Sequence, residues 1–373
     1  MATFSLSARH SPTSLSGHAD KQNERYVGNK IASFTMQALG CDVAALNTVD
    51  FSNHTGYGQW TGTRATPSHI LSLWSGLKQS SLDDFDMMLS GYVPGAAALE
   101  AVGQIAQELK DKSQVEAKRE GQGNEEGNFF WVLDPVMGDN GNLYVGAEVV
   151  PVYRGLVGRA EMVLPNQFEA ELLSEVKIVD MESLGKAIEV LHERYGVPHV
   201  VITSVSLPQP PPDDNNSDLV DGDTSQGKKT LSVIGSSMTS FRKPRPFRIS
   251  FPAIDCYFSG TGDMFAALMV VRMREAVCIA SATTEPGLER KKSWLSGDGV
   301  EAVELPLARA AEKVLGKEGG EGRMGNGDGN GEGVGVVDKK RMQVLKSKAA
   351  ELKLVRYLDS LREPKVVFRA RGM

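Results

Sequence analysis

Five short, predominantly apolar runs constrain this chain more than any other feature. They lie at 42–48, 85–89, 129–133, 160–164 and 199–203. Stretches with apolar residues at helical spacing, at 29–39, 96–110, 167–174 and 182–195, lie around and between them. A strand with one wet face alternates polar and apolar residues. A strand that is apolar throughout is buried on both faces, as happens in parallel sheets covered by helices on each side. The alternation therefore predicts an α/β fold with a mostly parallel sheet. Gly40 stands where a C-cap would end the first helix. With 373 residues, 41% of them hydrophobic, the chain can bury a large core in one large or two ordinary domains. In such sheets ligands bind beyond the carboxyl ends of the strands, so the residues just after each run are the ones to read for chemistry.

Composition narrows the partners. A formal net charge of −6 argues against a nucleic-acid footprint. The three cysteines, Cys41, Cys256 and Cys278, have neither paired nor metal-ligand spacing, which fits a reducing compartment. No apolar run reaches transmembrane length, and the Ser-rich N-terminus lacks the apolar stretch of a secretory signal. The expected location is the cytosol, with the nucleus as a second one. Segments 112–128, 207–229 and 316–335 are charged, Pro-rich or Gly-rich and are expected to be solvated insertions. His10, His18, His69, His192 and His199 show no ligand spacing and are expected on the surface or in the core. Arg290, Lys291 and Lys292 read as a solvated face.

The strand ends carry the candidate chemistry. Gly260, Thr261, Gly262 and Asp263 precede an apolar helical stripe of Met264, Phe265, Leu268 and Met269. Free N–H groups at a helix start, aided by the helix dipole, attract anions, and glycine lets a phosphate come close. A carboxylate there repels phosphate unless it takes the proton of a hydroxyl attacking phosphorus. Its structural role would be to complement the dipole, and Gly-x-Gly-Asp alone favours that role. The run 129–133 is followed by Asp134, a proline turn and Asp139. Two such acids can orient Mg2+ waters near a polyphosphate, or form an ordinary Asp-Pro turn. Asn166 and Glu169 have capping-box spacing. Beyond that role, Asn166 can face a nucleotide and Glu169 a metal. Thr203 and Ser204 offer hydroxyls for phosphate oxygens or for loop backbone. Phe51, His54, Thr55 and Tyr57 read as a loop over a small aromatic ligand, or as turn chemistry around one packed ring. Gly91-Tyr92 adds an aromatic hydroxyl at another strand end.

Together the stretches YVGNKIASFTMQALG, NTVDFSNHTGY, LSGY, LDPVMGD, PNQFEAELLS, VVITS and GTGDMFAA resemble the pyridoxal kinase family of the ribokinase-like superfamily. They span about residues 26 to 280, with a weaker match at EPKVVF near the C-terminus. The resemblance implies a three-layer α/β sandwich over 26–373, preceded by an atypical segment 1–25. It implies transfer of the γ-phosphoryl group of ATP to the 5′-hydroxymethyl of pyridoxal, pyridoxine or pyridoxamine, giving pyridoxal 5′-phosphate in vitamin B6 salvage. Carried over by motif, Asp263 would be the catalytic base, with Gly260, Thr261 and Gly262 as the anion hole. Asp134, Asn166, Thr203 and Ser204 would lie along ATP, with Ile254, Asp255 and Cys256 on the adenine side and Thr261 near its phosphates. Asp139 and Glu169 would hold Mg2+, and a monovalent cation such as K+ would sit near Asp134 and Glu169. Thr55 and Tyr92 would contact substrate, with Phe51 and His54 near the pyridine ring. Homodimers in the cytosol are also implied.

Two departures stand out. Leu164 replaces the family's usual Thr before Pro-Asn. At 15–25 the sequence LSGHADKQNER stands where the family has an apolar strand, and Asp20 stands in place of a substrate-touching Ser. Helix 29–39 is then expected to lack its feeding strand, and the chain to be a poor kinase. The stretch 2–7 has strand-like alternation but can fill the gap only if 8–25 loops out. Two other readings stay open. One is a hydroxymethylpyrimidine kinase, against which FSNHTGY argues. The other is a catalytically impaired ligand-binding paralogue or isoform, which the N-terminus favours and the intact GTGD disfavours.

Overall fold

The computed structural model describes residues 4–8, 28–53, 55, 59–120, 127–207, 230–253, 260–316 and 354–373. The strands are β1 (Phe4–Ala8), β2 (Asp42–Ala45), β3 (Val49–Phe51), β4 (Gly62–Arg64), β5 (Met87–Ser90), β6 (Phe130–Leu133), β7 (Gly138–Asp139), β8 (Asn142–Leu143), β9 (Met162–Val163), β10 (His199–Val205), β11 (Thr230–Met238), β12 (Pro244–Pro252) and β13 (Arg371–Gly372). The helices that matter below are α1 (Asn29–Ala38), α2 (Pro67–Gln79), α3 (Ala96–Glu120), α4 (Val149–Val157), α5 (Gln167–Ser174), α6 (Met181–Tyr195), α7 (Thr261–Thr283) and α8 (Pro306–Val314).

Among the described residues nine strands form one sheet, in the order β13-β12-β11-β10-β9-β6-β5-β1-β2. Strands β2, β5, β6, β9, β10 and β12 run one way; β1, β11 and β13 run against them. Alternate side chains of one strand go to opposite layers, which is why the central runs are apolar throughout. Trp131 and Leu133 of β6 pack with Met88, Val163, Val200 and Ile202 under α2 to α6. Phe130 and Val132 pack with Met87, Leu89, Met162 and Val201 under α1, α7 and α8. The result is the expected three-layer sandwich.

Three expectations are corrected. First, the sheet position thought to be empty is filled. β1 lies between β2 and β5, but antiparallel to both, with Phe4 opposite Ser90 and Ala8 opposite Asp42. Its register puts Phe4, not its last residue, at the end of the sheet where β5 finishes. Asp20 lies outside the described residues. Second, 112–120 is helix rather than loop. α3 continues to Glu120, and Ser113 Oγ accepts the backbone N–H of Asn128 and Phe129 at 2.9 and 3.1 Å, fastening the helix to the start of β6. The rest of the three insertions is largely outside the described residues. Third, β11 and β12 were not foreseen. Pro244, Pro246 and Pro252 hide a nine-residue strand. They fall on alternate positions, so their missing N–H groups lie along one side of β12.

His192 and His199 belong to the core. His192 bonds Val197 O at 2.7 Å and Ser236 Oγ at 2.8 Å; His199 bonds Ser237 Oγ at 2.8 Å and Ser293 O at 2.7 Å. Burial lowers both rings to about 4. Between about pH 6.5 and 4 the unfolded chain therefore binds protons that the folded one refuses. Each ring then lowers stability by about 1.4 kcal/mol per pH unit as the pH falls through that window. Glu169, raised to about 7, works in the opposite direction. The direct check is histidine NMR at pH 5: two of the six imidazoles should still be neutral. Six rings titrating near 6.5 would contradict the assignment.

Candidate active site

The carboxyl ends of β2, β5, β6, β9 and β10 meet the start of α7. Here a cluster of acids forms. Asp134 follows β6 and is only 8% exposed. Its backbone accepts from Val136 N at 2.9 Å, which makes the tight Asp-Pro turn. Among the described residues no donor reaches its carboxylate. Burial, then the charges of Glu169 and Asp263, hold it well above the usual carboxylate range.

Glu169 is the third residue of α5, and the expected capping box is present. Its Oε2 accepts Asn166 N at 2.9 Å, and its Oε1 accepts Met137 N at 2.8 Å and Gly138 N at 3.3 Å. Burial raises it to about 7 against those three donors, and Asp139 adds to the rise. Asn166 accepts Glu169 N at 2.9 Å and donates to Gly138 O at 2.7 Å. Both ends of that amide are thus engaged in joining α5 to the β7 turn, which makes Asn166 first of all a framework residue. Asp139 turns its carboxylate to Asn140, accepting its backbone N–H at 2.7 Å.

α7 begins as the glycines suggest. Gly260 adopts φ 84°, in the left-handed region, and no side chain caps the helix among the described residues. A Cβ on Gly262 would meet no atom within 4 Å, so open space lies before this first turn. Thr261 and Gly262 are exposed. Asp263 Oδ2 accepts the backbone N–H of Gly28 at 2.9 Å. Gly28 itself has φ 58° and ψ −138°, a backbone that L residues avoid. This bond joins the start of α1 to the start of α7 across 235 residues of chain.

A third group surrounds an aromatic recess. Phe51 is buried and its ring lies 4.1 Å from that of Trp60. Val49 and Phe51 pack with Tyr92, whose backbone carbonyl accepts Thr48 Oγ1 at 2.9 Å. Thr55 is exposed nearby in sequence. At β10, a bulge between Ile202 and Val205 gives Ser204 φ 56° and turns it to solvent, while Thr203 N bonds Pro165 O at 2.9 Å. His54, Tyr57, Ile254, Asp255 and Cys256 lie outside the described residues.

The sequence reading missed Gly28, Asn29, Trp60 and Tyr153. Asn29 Nδ2 donates to Leu46 O at 2.8 Å and to Asn47 Oδ1 at 2.6 Å, tying α1 to the end of β2. Tyr153, fully buried on α4, donates to Gly91 O at 3.2 Å and lies within the field of Asp134 and Glu169. Burial and those acids push its phenol well up. A tyrosine inside an apolar helix reads as core in sequence; only its polar tip distinguishes it.

The donor set fits a hard cation. All the acids offer oxygen, no donor reaches Asp134 among the described residues, and burial holds both Asp134 and Glu169 above the ordinary carboxylate range. Among the described residues no three His, Cys, Asp or Glu close into a cage. A phosphate-bound Mg2+ keeps several waters and needs only one or two carboxylates.

Comparisons with known proteins bear on the family and the fold. Residues 109–283 match the family model described as phosphomethylpyrimidine kinase. Pyridoxal kinase of Homo sapiens is 35% identical over 258 residues, covering 66% of this chain and 72% of that one. The structure of pyridoxal kinase from Leishmania donovani in complex with ADP and pyridoxamine has TM-score 0.64 and 27% identity, covering 94% of this chain and 96% of the other. Its complex with ADP and pyridoxine has the same values.

Proposed function

The chain belongs to the pyridoxal kinase family, and from that premise we propose that it transfers the γ-phosphoryl group of ATP to the 5′-hydroxymethyl of pyridoxal, pyridoxine and pyridoxamine. One observation carries the reading. A single carboxylate, Asp263, stands at an uncapped glycine-rich helix start, beside a cluster of buried acids and an aromatic recess, all at the carboxyl end of the sheet.

Each part has a role in phosphoryl transfer. Asp263 takes the proton of the attacking alcohol, worth about 10²- to 10⁴-fold in rate. The N–H groups of the Gly260 to Gly262 turn receive the charge that gathers on the moving phosphoryl oxygens, at roughly 3 kcal/mol per donor. Thr203 and Ser204 line the nucleotide side, and Tyr92 and Phe51 hold the pyridine ring, with Thr55 in reach of its substituents. Asp139 and Glu169 would hold Mg2+, partly through water, and Asp134 with Glu169 would hold a monovalent cation such as K+. When bound, these cations offset the repulsion between the acids and the phosphates. At the departure Leu164, the backbone N–H donates to Leu133 O at 3.0 Å, so the lost hydroxyl leaves the sheet pairing whole. The active form is a cytosolic homodimer.

The test is a steady-state assay of this chain with ATP, Mg2+ and each vitamer, with hydroxymethylpyrimidine as competitor. Pyridoxal-type substrates should have the higher kcat/KM, because the polar groups around the recess would be left unpaired by a ligand with the wrong ring substituents. Equal or reversed preference would move the chain to the phosphomethylpyrimidine branch.

A further inference from the structure

The hairpin of β3 and β4 carries a charge that the reaction chemistry does not require. Val49 pairs with Arg64, Asp50 with Thr63 and Phe51 with Gly62. Paired residues share a face of the hairpin, and successive pairs alternate faces. Val49 and Phe51 are buried against Tyr92, so their face is the one turned to the aromatic recess. Asp50 and Thr63 take the other face and are exposed. Gly62 brings no side chain to the inner face, and a Cβ there would lie 1.9 Å from Asp50 O. Arg64 is therefore the residue by which β4 addresses the recess.

Arg64 is exposed. Among the described residues it has no carboxylate partner. Its positive charge reaches Tyr92, where it opposes the upward effect of burial on the phenol. The hairpin is also fastened in place, through Thr48 Oγ1 to Tyr92 O at 2.9 Å and through Ala65 N to Thr48 O at 2.9 Å. A cation with no carboxylate partner among the described residues thus shares the hairpin face that packs on Tyr92, beside which the pyridine ring is proposed to lie.

The three vitamers share that ring and its 5′-hydroxymethyl. They differ at the 4-position: pyridoxal carries an aldehyde, pyridoxine a hydroxymethyl, and pyridoxamine an aminomethyl that is an ammonium at neutral pH. A fixed positive charge discriminates against the last by repulsion and leaves the other two alone, which is selectivity by a built-in penalty. We propose that Arg64 is a specificity-determining residue that disfavours pyridoxamine relative to pyridoxal and pyridoxine. This rests on the kinase reading above.

The test compares the full chain with Arg64→Met, which keeps the aliphatic stem, and Arg64→Lys, which keeps the charge. The measured quantity is the ratio of kcat/KM for pyridoxal to that for pyridoxamine at saturating ATP and Mg2+, with a thermal melt to verify folding. For a solvent-exposed charge the ratio should fall about 3- to 10-fold in Arg64→Met and stay within about twofold in Arg64→Lys. Raising salt from about 0.05 to about 0.5 M should narrow the ratio in the parent and not in Arg64→Met. An unchanged ratio in Arg64→Met overturns the inference. So does a parallel loss for both vitamers with a raised KM for ATP, which would make Arg64 a phosphate ligand. Absence of turnover with every vitamer would instead overturn the kinase reading, and this inference with it.

Discussion

Asp263→Asn should lower pyridoxal turnover by at least about 10²-fold while ATP affinity changes little. The substitution is nearly isosteric. Asn keeps an oxygen that can accept the Gly28 N–H, now bonded to Oδ2 at 2.9 Å, so α1 and α7 stay joined. The open turn at Gly260 to Gly262, proposed to receive phosphate, is untouched. What disappears is a basic oxygen able to take the alcohol proton. Turnover is measured by single-turnover kinetics and ATP affinity by equilibrium titration. Near-normal turnover would remove Asp263 from the role of base and leave it as a helix-dipole partner with a structural bond to Gly28.

Deleting residues 1–8 should cost at least about 5 °C in melting temperature and raise the KM for pyridoxal at least about tenfold, with a smaller effect on ATP. β1 has four register pairs with β2 and four with β5. At about 1 kcal/mol net per ladder hydrogen bond, exchange with water already included, the loss is at least a few kcal/mol. The position matters more than the sum. β2 is the last strand of the sheet and joins it through β1. β2 leads into the hairpin that carries Phe51 and Arg64, whereas Thr203 and Ser204 lie on β10, on the other side of β5. A substrate-side defect is therefore expected. Grafting an apolar strand and a short loop onto Tyr26 in place of 1–25 should restore both quantities. An unchanged melt and KM after deletion would show that β1 contributes nothing to the folded kinase.

The central layers were legible in the sequence because their signal is local. The apolar runs at 85–89, interrupted by Asp86, and at 129–133 became β5 and β6, displaced by no more than two residues. The 167–174 stretch is α5 as predicted, with its capping box. The acids after the strands also fell where the strand ends put them. Asp134, Glu169 and Asp263 share one electrostatic neighbourhood, and a parallel sheet brings all its strand ends to one edge. What the sequence could not decide was pairing between distant segments. The direction of β1 is set by which strands flank it, not by its own five residues. The bond from Gly28 to Asp263, the capture of the Asn166 amide by Gly138 and the face on which Arg64 lies depend on register between separate elements. A side chain's type is written in the chain, but its partner is chosen only when the layers close and each buried polar group must find a donor or acceptor.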